Sequence, residues 1–121
     1  MANEGHLVQL KQRVTAWNYW RSSNPDITPD LAEADLIGAH LGGAHLAEAD
    51  LTEADLTRAT LTETHFYETH LTGAALTGAH LHEATIGWTI LGNVDMSTAR
   101  AGLQQLEKLR CVPGSVCPIA P

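Results

Sequence analysis

Five histidines, His40, His45, His65, His70 and His80, and five aspartates, Asp30, Asp35, Asp50, Asp55 and Asp95, share one five-residue grid. Imidazole and carboxylate are ligand types that suit Zn²⁺ or Ni²⁺, and the sequence repeats one such pair: His45 with Glu48, then His65 with Glu68 twenty residues on. A second group, Asp30, Glu33, Asp35, Asp50, Glu53 and Asp55, offers negative charge to a cationic partner. Catalytic chemistry finds no such support. The serines Ser22, Ser23, Ser97 and Ser115 have no adjacent histidine, and Gly38, Gly43, Gly73 and Gly78 keep the five-residue spacing instead of forming a phosphate loop. The expectation is a non-enzymatic chain with no catalytic residues and no cofactor.

The element that carries this grid is set by its apolar residues. A large apolar side chain stands at every fifth position: Leu31, Leu36, Leu41, Leu46, Leu51, Leu56, Leu61, Phe66, Leu71, Leu76, Leu81, Ile86, Leu91 and Met96. Two residues before each stands a small one, usually alanine. On an α-helix five residues advance the chain by roughly 500°, which would scatter the leucines around the cylinder. On a straight strand an odd spacing would turn every second leucine outward. A corner near the second residue after each leucine keeps all of them inside. The glycines there, and Asn93, suit such a corner. The chain is therefore predicted to coil into an all-β solenoid with a filled interior.

Residues 34–38 (ADLIG), 49–53 (ADLTE) and 54–58 (ADLTR), with AHLAE at 44–48 and AHLHE at 79–83, closely resemble the pentapeptide repeat family and its motif A-(D/N)-L-x-x. The resemblance implies a right-handed four-sided β-helix, one repeat per face and twenty residues per coil. Fourteen repeats then make about 3.5 coils, stacked roughly 4.8 Å apart into a rod about 17 Å long. It also implies that residues twenty apart lie above one another. Asp30, Asp50, Glu33 and Glu53 then share one face, Asp35, Asp55 and Asp95 the next, and His65 lies above His45. The histidines depart from the family, which usually has Asp or Asn before the leucine. The His45–His65 face is convex and has no enclosing second shell, so the expectation is no resident metal, His45, His65, Glu48 and Glu68 being the only candidate ligands.

A solenoid exposes its core at both ends and needs caps. Leu7, Leu10, Val14 and Trp17 fall at helical spacing, which predicts one helix over 4–21, with Trp17, Tyr19 and Trp20 as an aromatic plug on the first coil. Asn24-Pro25 and Thr28-Pro29 end it. The resulting division is 1–28 for the cap and linker, 29–98 for the β-helix, and 99–121 for a short C-terminal helix over 99–110 and a tail. Trp88 and Ile90 occupy outward or corner positions and require cover from the C-terminal segment or from a second subunit, so a homodimer through this region or a terminal cap is one expectation. Cys111 and Cys117 flank a Pro-Gly turn that allows a local disulfide, while two free thiols are the expectation for a cytoplasmic protein.

The net charge of −7, from 14 acidic and 7 basic residues, argues against direct nucleic-acid binding and leaves basic proteins as partners. The chain carries no apolar run of membrane-spanning length, and MANEGHLVQL lacks the regions of a signal peptide. The expected role is a cytoplasmic bacterial protein-interaction scaffold, with Asp30, Glu33, Asp35, Asp50, Glu53, Asp55, Trp88 and Ile90 as candidate contacts. Two alternatives follow from other features. Family members that bind DNA gyrase imply an acidic strip imitating the DNA backbone, although those members are longer. The histidine ladder suggests a metal- or pH-responsive surface.

Overall fold

The computed structural model describes residues 2–85 and the backbone of two short strands at 90–91 and 110–111. From Asp30 onward the chain winds in coils of twenty residues. Parallel bridges pair Asp30 with Asp50, Asp35 with Asp55, His40 with Thr60 and His45 with His65, and the same register carries Asp50 to His70 and His65 to Thr85. Each five-residue segment makes the same bonds. Leu36 and Gly38 donate their N–H groups to the carbonyls of Asp55 and Thr57, both at 2.8 Å, and Asp55 returns one to Ala34 at 2.9 Å.

The corner lies where the spacing predicts. The N–H of Ala34 donates to the Leu31 carbonyl at 3.1 Å, and this turn recurs along the coils, as in Ala54 to Leu51 at 3.0 Å. The second residue after each large apolar one is left-handed from Glu33 to Glu83, with φ between 56° and 76°. Glycine takes four of these positions; Glu33, Glu48, Glu53, Arg58, Glu63, Glu68 and Glu83 take the others. A left-handed non-glycine residue costs roughly 1–2 kcal/mol. The coil above offsets that cost by holding the same residue's N–H, as in Glu53 to Thr72 at 2.8 Å.

The large apolar residues at every fifth position from Leu31 to Leu81, Phe66 among them, are at most 2% exposed. Alanines fill the space beside them, and at two places threonine takes the alanine position. Thr64 Oγ1 donates to the Leu41 carbonyl at 2.9 Å and Thr69 Oγ1 to the Leu46 carbonyl at 2.7 Å, so both buried hydroxyls are satisfied.

The N-terminal segment forms two helices, not the single one predicted from its apolar stripe: α1, Glu4–Gln12, and α2, Val14–Ser23. Arg13 between them is extended, with φ −162° and ψ 144°. One straight helix over 4–21 would be about 27 Å long and would overshoot the narrow end of the coil; the break turns it back across that end. Leu10 and Trp17 are buried against the first coil, and Trp20 packs partly buried beside them. Tyr19 is 72% exposed and takes no part in the aromatic plug expected of it. Its place in the helix, two residues after Trp17, turns it away from the coil.

Beyond Thr85 the backbone of β1, Ile90–Leu91, pairs in parallel with β2, Arg110–Cys111, again twenty residues apart. Arg110 thus lies in a strand and not at the end of a helix, because it continues the coil spacing. The rest of the predicted 99–110 helix, together with Ile86, Trp88, Asp95, Met96 and Cys117, lies outside the described residues.

Leu56 sits in the middle of the stack at 0% exposure. Leu56→Ala should cost roughly 2–5 kcal/mol in denaturant unfolding, since coils on both sides keep the cavity open. Trp17→Phe keeps most of the buried bulk but loses an indole N–H donor, for an expected loss of about 1 kcal/mol.

Candidate interaction surface

The outward residues form columns, one side chain per coil. Asp30, Asp50 and His70 make one, and Asp35, Asp55 and Ala75 the next. Each aspartate is held by the chain just after it. Asp50 Oδ1 accepts from the N–H of Thr52 at 3.0 Å, Asp55 Oδ1 from that of Thr57 at 3.1 Å, and Asp30 and Asp35 accept likewise from Ala32 and Ile37. Aspartate reaches back to an N–H two residues on because its side chain is short, so the grid position fixes the carboxylate. The Asp50 carboxyl lies below its ordinary range, through Thr52 first, with partial burial opposing and the Thr52 N–H and His70 adding to the effect.

The corner acids stand beside these columns. Glu33 and Glu53 are stacked left-handed residues with Gly73 above them. The Glu53 side chain leans over Gly73, where a Cβ would come within 2.9 Å of its Cγ. Glu48 and Glu68 occupy another corner. With Thr28, Asp50, Thr52 and His70 they line an open depression of about 410 Å³. The structure thus brings these two glutamates beside Asp50 and His70. A corner residue can serve either adjoining face, and the five-residue spacing alone cannot choose between them.

His45 and His65 do stack, with ring centroids 4.6 Å apart in an edge-on arrangement. Among the described residues no three histidine, cysteine, aspartate or glutamate side chains are placed to hold a metal ion. Instead the His45 backbone is the anchor of the helix pair. Its carbonyl accepts from Trp17 Nε1 at 2.8 Å and from Arg21 at 2.6 Å, and its N–H donates to Asn18 Oδ1 at 2.8 Å. Arg21 donates also to the Ala47 carbonyl at 2.8 Å, and Asn18 Nδ2 to Gly43 at 3.0 Å. At the neighbouring edge the Asp30 N–H donates to His6 Nδ1 at 3.0 Å, while Asn3 donates to the Asp30 carbonyl at 2.9 Å. None of these side-chain contacts has a signal in the repeat pattern.

The family comparison settles the class. The sequence profile described as Pentapeptide repeats (8 copies) matches residues 30–66 and again 61–97. The chain belongs to the pentapeptide repeat family. Membership gives the coil its hand, a right-handed β-helix solenoid. Among solved structures, this pentapeptide repeat protein is similar to one from the cyanobacterium Cyanothece 51142 (23% identity, TM-score 0.39, 69% of this chain and 53% of that one). It is also similar to one from Nostoc PCC 7120 (26%, 0.39, 70% and 66%). A third is from the thylakoid lumen of Arabidopsis thaliana (22%, 0.34, 71% and 59%). The chain spans between about half and two thirds of the length of these proteins. No match is found among curated proteins.

Burial first, then His65 and Arg21, hold the His45 imidazole below its ordinary 6.5. The folded state therefore binds fewer protons than the unfolded chain just below 6.5, and stability rises with pH there. Stability present above 6.5 should be lost as the pH falls through that value toward the folded pKa. Denaturant unfolding at neutral and mildly acidic pH should show a larger acid loss in the wild type than in His45→Asn. Equal losses would remove His45 as the cause.

Proposed function

We propose that this pentapeptide repeat protein is a non-enzymatic scaffold whose acidic faces bind a basic segment of a partner protein. The reading includes a β-helix of about 3.5 coils over 29–98, closed by α1 and α2 at one end and by the C-terminal segment at the other. The observation that carries it is the fixed placement of carboxylates. Asp30, Asp35, Asp50 and Asp55 stand in two adjacent columns, each oriented by an N–H two residues on, beside the depression that Glu48, Asp50 and Glu68 line. Carboxylates positioned before binding lose little freedom when they pair, which suits recognition of lysine and arginine.

An imitation of DNA is less well supported. The first column passes from Asp50 to His70 and the second from Asp55 to Ala75, so each offers only two consecutive acids. Purified protein is accordingly expected not to inhibit supercoiling by DNA gyrase.

The test replaces charge without moving atoms. Asparagine keeps the Oδ1 acceptor that aspartate offers to Thr52 and Thr57, so Asp50→Asn with Asp55→Asn should leave the melting temperature nearly unchanged. Binding of a labelled Lys/Arg-rich peptide, followed by fluorescence anisotropy, should weaken at least about tenfold, and its salt dependence should shrink. Unchanged affinity in the double variant would reject the acidic columns as the contact.

A further inference from the structure

The first coil has a lower edge with no coil beneath it, and the helix pair covers only part of that edge. Hydrogen bonds from α2 and the N-terminal segment reach Asp30, Gly43, His45 and Ala47. Among the described residues none reaches the N–H of Asp35 or His40, or the carbonyls of Asp35, Ile37, His40 and Gly42. The side chains there show the same gap. Ala39 is the one described alanine of the core ladder that is only partly buried, and Ile37 is 56% exposed. An open depression of about 500 Å³ lies between this edge and the end of α1, lined by the apolar Leu10, Ala39 and Leu41, by the cations Lys11 and Arg13, and by Asp35 and His40 of the edge itself.

The second coil shows what a strand in this place would bond to. It pairs with the first by accepting from Leu36 and Gly38 and by donating from Asp55 to Ala34. A peptide below the first coil would make the mirror set: two of its N–H groups, two residues apart, donate to the Asp35 and Ile37 carbonyls, and one of its carbonyls accepts from the Asp35 N–H. The His40 segment offers the same three groups again. An unpaired edge of this kind is a template for strand addition. Charge selects the occupant. Of the four lysines and arginines whose side chains are described, Lys11 and Arg13 stand at this depression, Arg21 is taken up by His45 and Ala47, and Arg58 lies at an outer corner.

We propose that the edge from Asp35 to Gly42 takes an acidic peptide of a partner protein as an added strand, extended along each face and bent once at the Gly38 corner, its carboxylates against Lys11 and Arg13 and an apolar side chain in the depression. The proposal shares with the scaffold reading the idea of a protein partner and one residue, Asp35, whose backbone pairs here while its carboxylate belongs to the acidic column; the charge of the partner and the bonding differ.

The probe is a short fluorescein-labelled peptide alternating glutamate and valine, titrated into the full chain. It should bind, slow the amide hydrogen exchange of Asp35 and His40, and lose at least about tenfold in affinity on Lys11→Glu with Arg13→Glu. The same peptide N-methylated on alternate backbone amides, tested on the unaltered protein, should bind at least about tenfold more weakly, so the result does not depend on the variant folding. No anisotropy change up to about 1 mM peptide would overturn the proposal. So would equal binding of the N-methylated peptide or of a lysine–valine one, or binding that leaves the Asp35 and His40 amides unprotected. Asp50→Asn with Asp55→Asn should leave this binding unchanged, so the failure of either surface can be told from failure of the other.

Discussion

Every side chain of this solenoid takes its direction from one small closure, the hydrogen bond from the N–H of a small residue to the carbonyl of the large apolar residue three before it. The left-handed residue inside that turn bends the chain by one corner, and four such corners close a coil. With the corner fixed, two residues of each five point inward and the others face outward or sit at the bend. The core, the columns of aspartate and histidine and the glutamate corners all follow from it. The closure is locally unfavourable for seven non-glycine residues, and at Glu33, Glu48, Glu53, Arg58 and Glu63 the coil above holds the same N–H group.

Much of this was legible in the residues themselves. The strict spacing of Leu31 to Leu81 forces a corner, and Gly38, Gly43, Gly73 and Gly78 mark where it falls. The glutamates at the same position carry no such mark, since propensity alone would put Glu33 or Glu53 in a helix. The columns were legible too once twenty residues per coil was taken from the family resemblance, as the His45–His65 and Asp50–His70 bridges show. Three features were not. The break at Arg13 arises from the width of the coil end, which α1 and α2 must fit, and no residue type signals it. The exposure of Tyr19 follows from that same packing. The neighbours of Glu48 and Glu68 depend on which way a corner side chain leans, and spacing says nothing about lean.

The helix pair meets the coil through polar side chains as well as apolar ones. Besides laying Leu10 and Trp17 over the core, it supplies side-chain donors and acceptors where a further coil would have supplied backbone. Asn18 accepts from the His45 N–H, and Trp17 and Arg21 donate to its carbonyl, so three side chains stand in for one strand. The substitution works because amide, indole and guanidinium groups offer the same hydrogen-bond types as a peptide bond. It also brings a cation beside the stacked imidazoles, which is why the titration of His45 is tied to the seating of the cap.

The dependence of each left-handed corner on its neighbour also ties the stability of every coil to the one that follows it. A coil laid down alone carries the strain of its corners with no adjacent backbone to offset it, much as the first row of a crystal costs more than the rows that follow. The side chains of α2 supply only part of a row, at Gly43, His45 and Ala47, and they bond the lower edge of the first coil. The corners of that coil, at Glu33, Gly38, Gly43 and Glu48, are held from the other side, so a coil is complete only when the next one is in place.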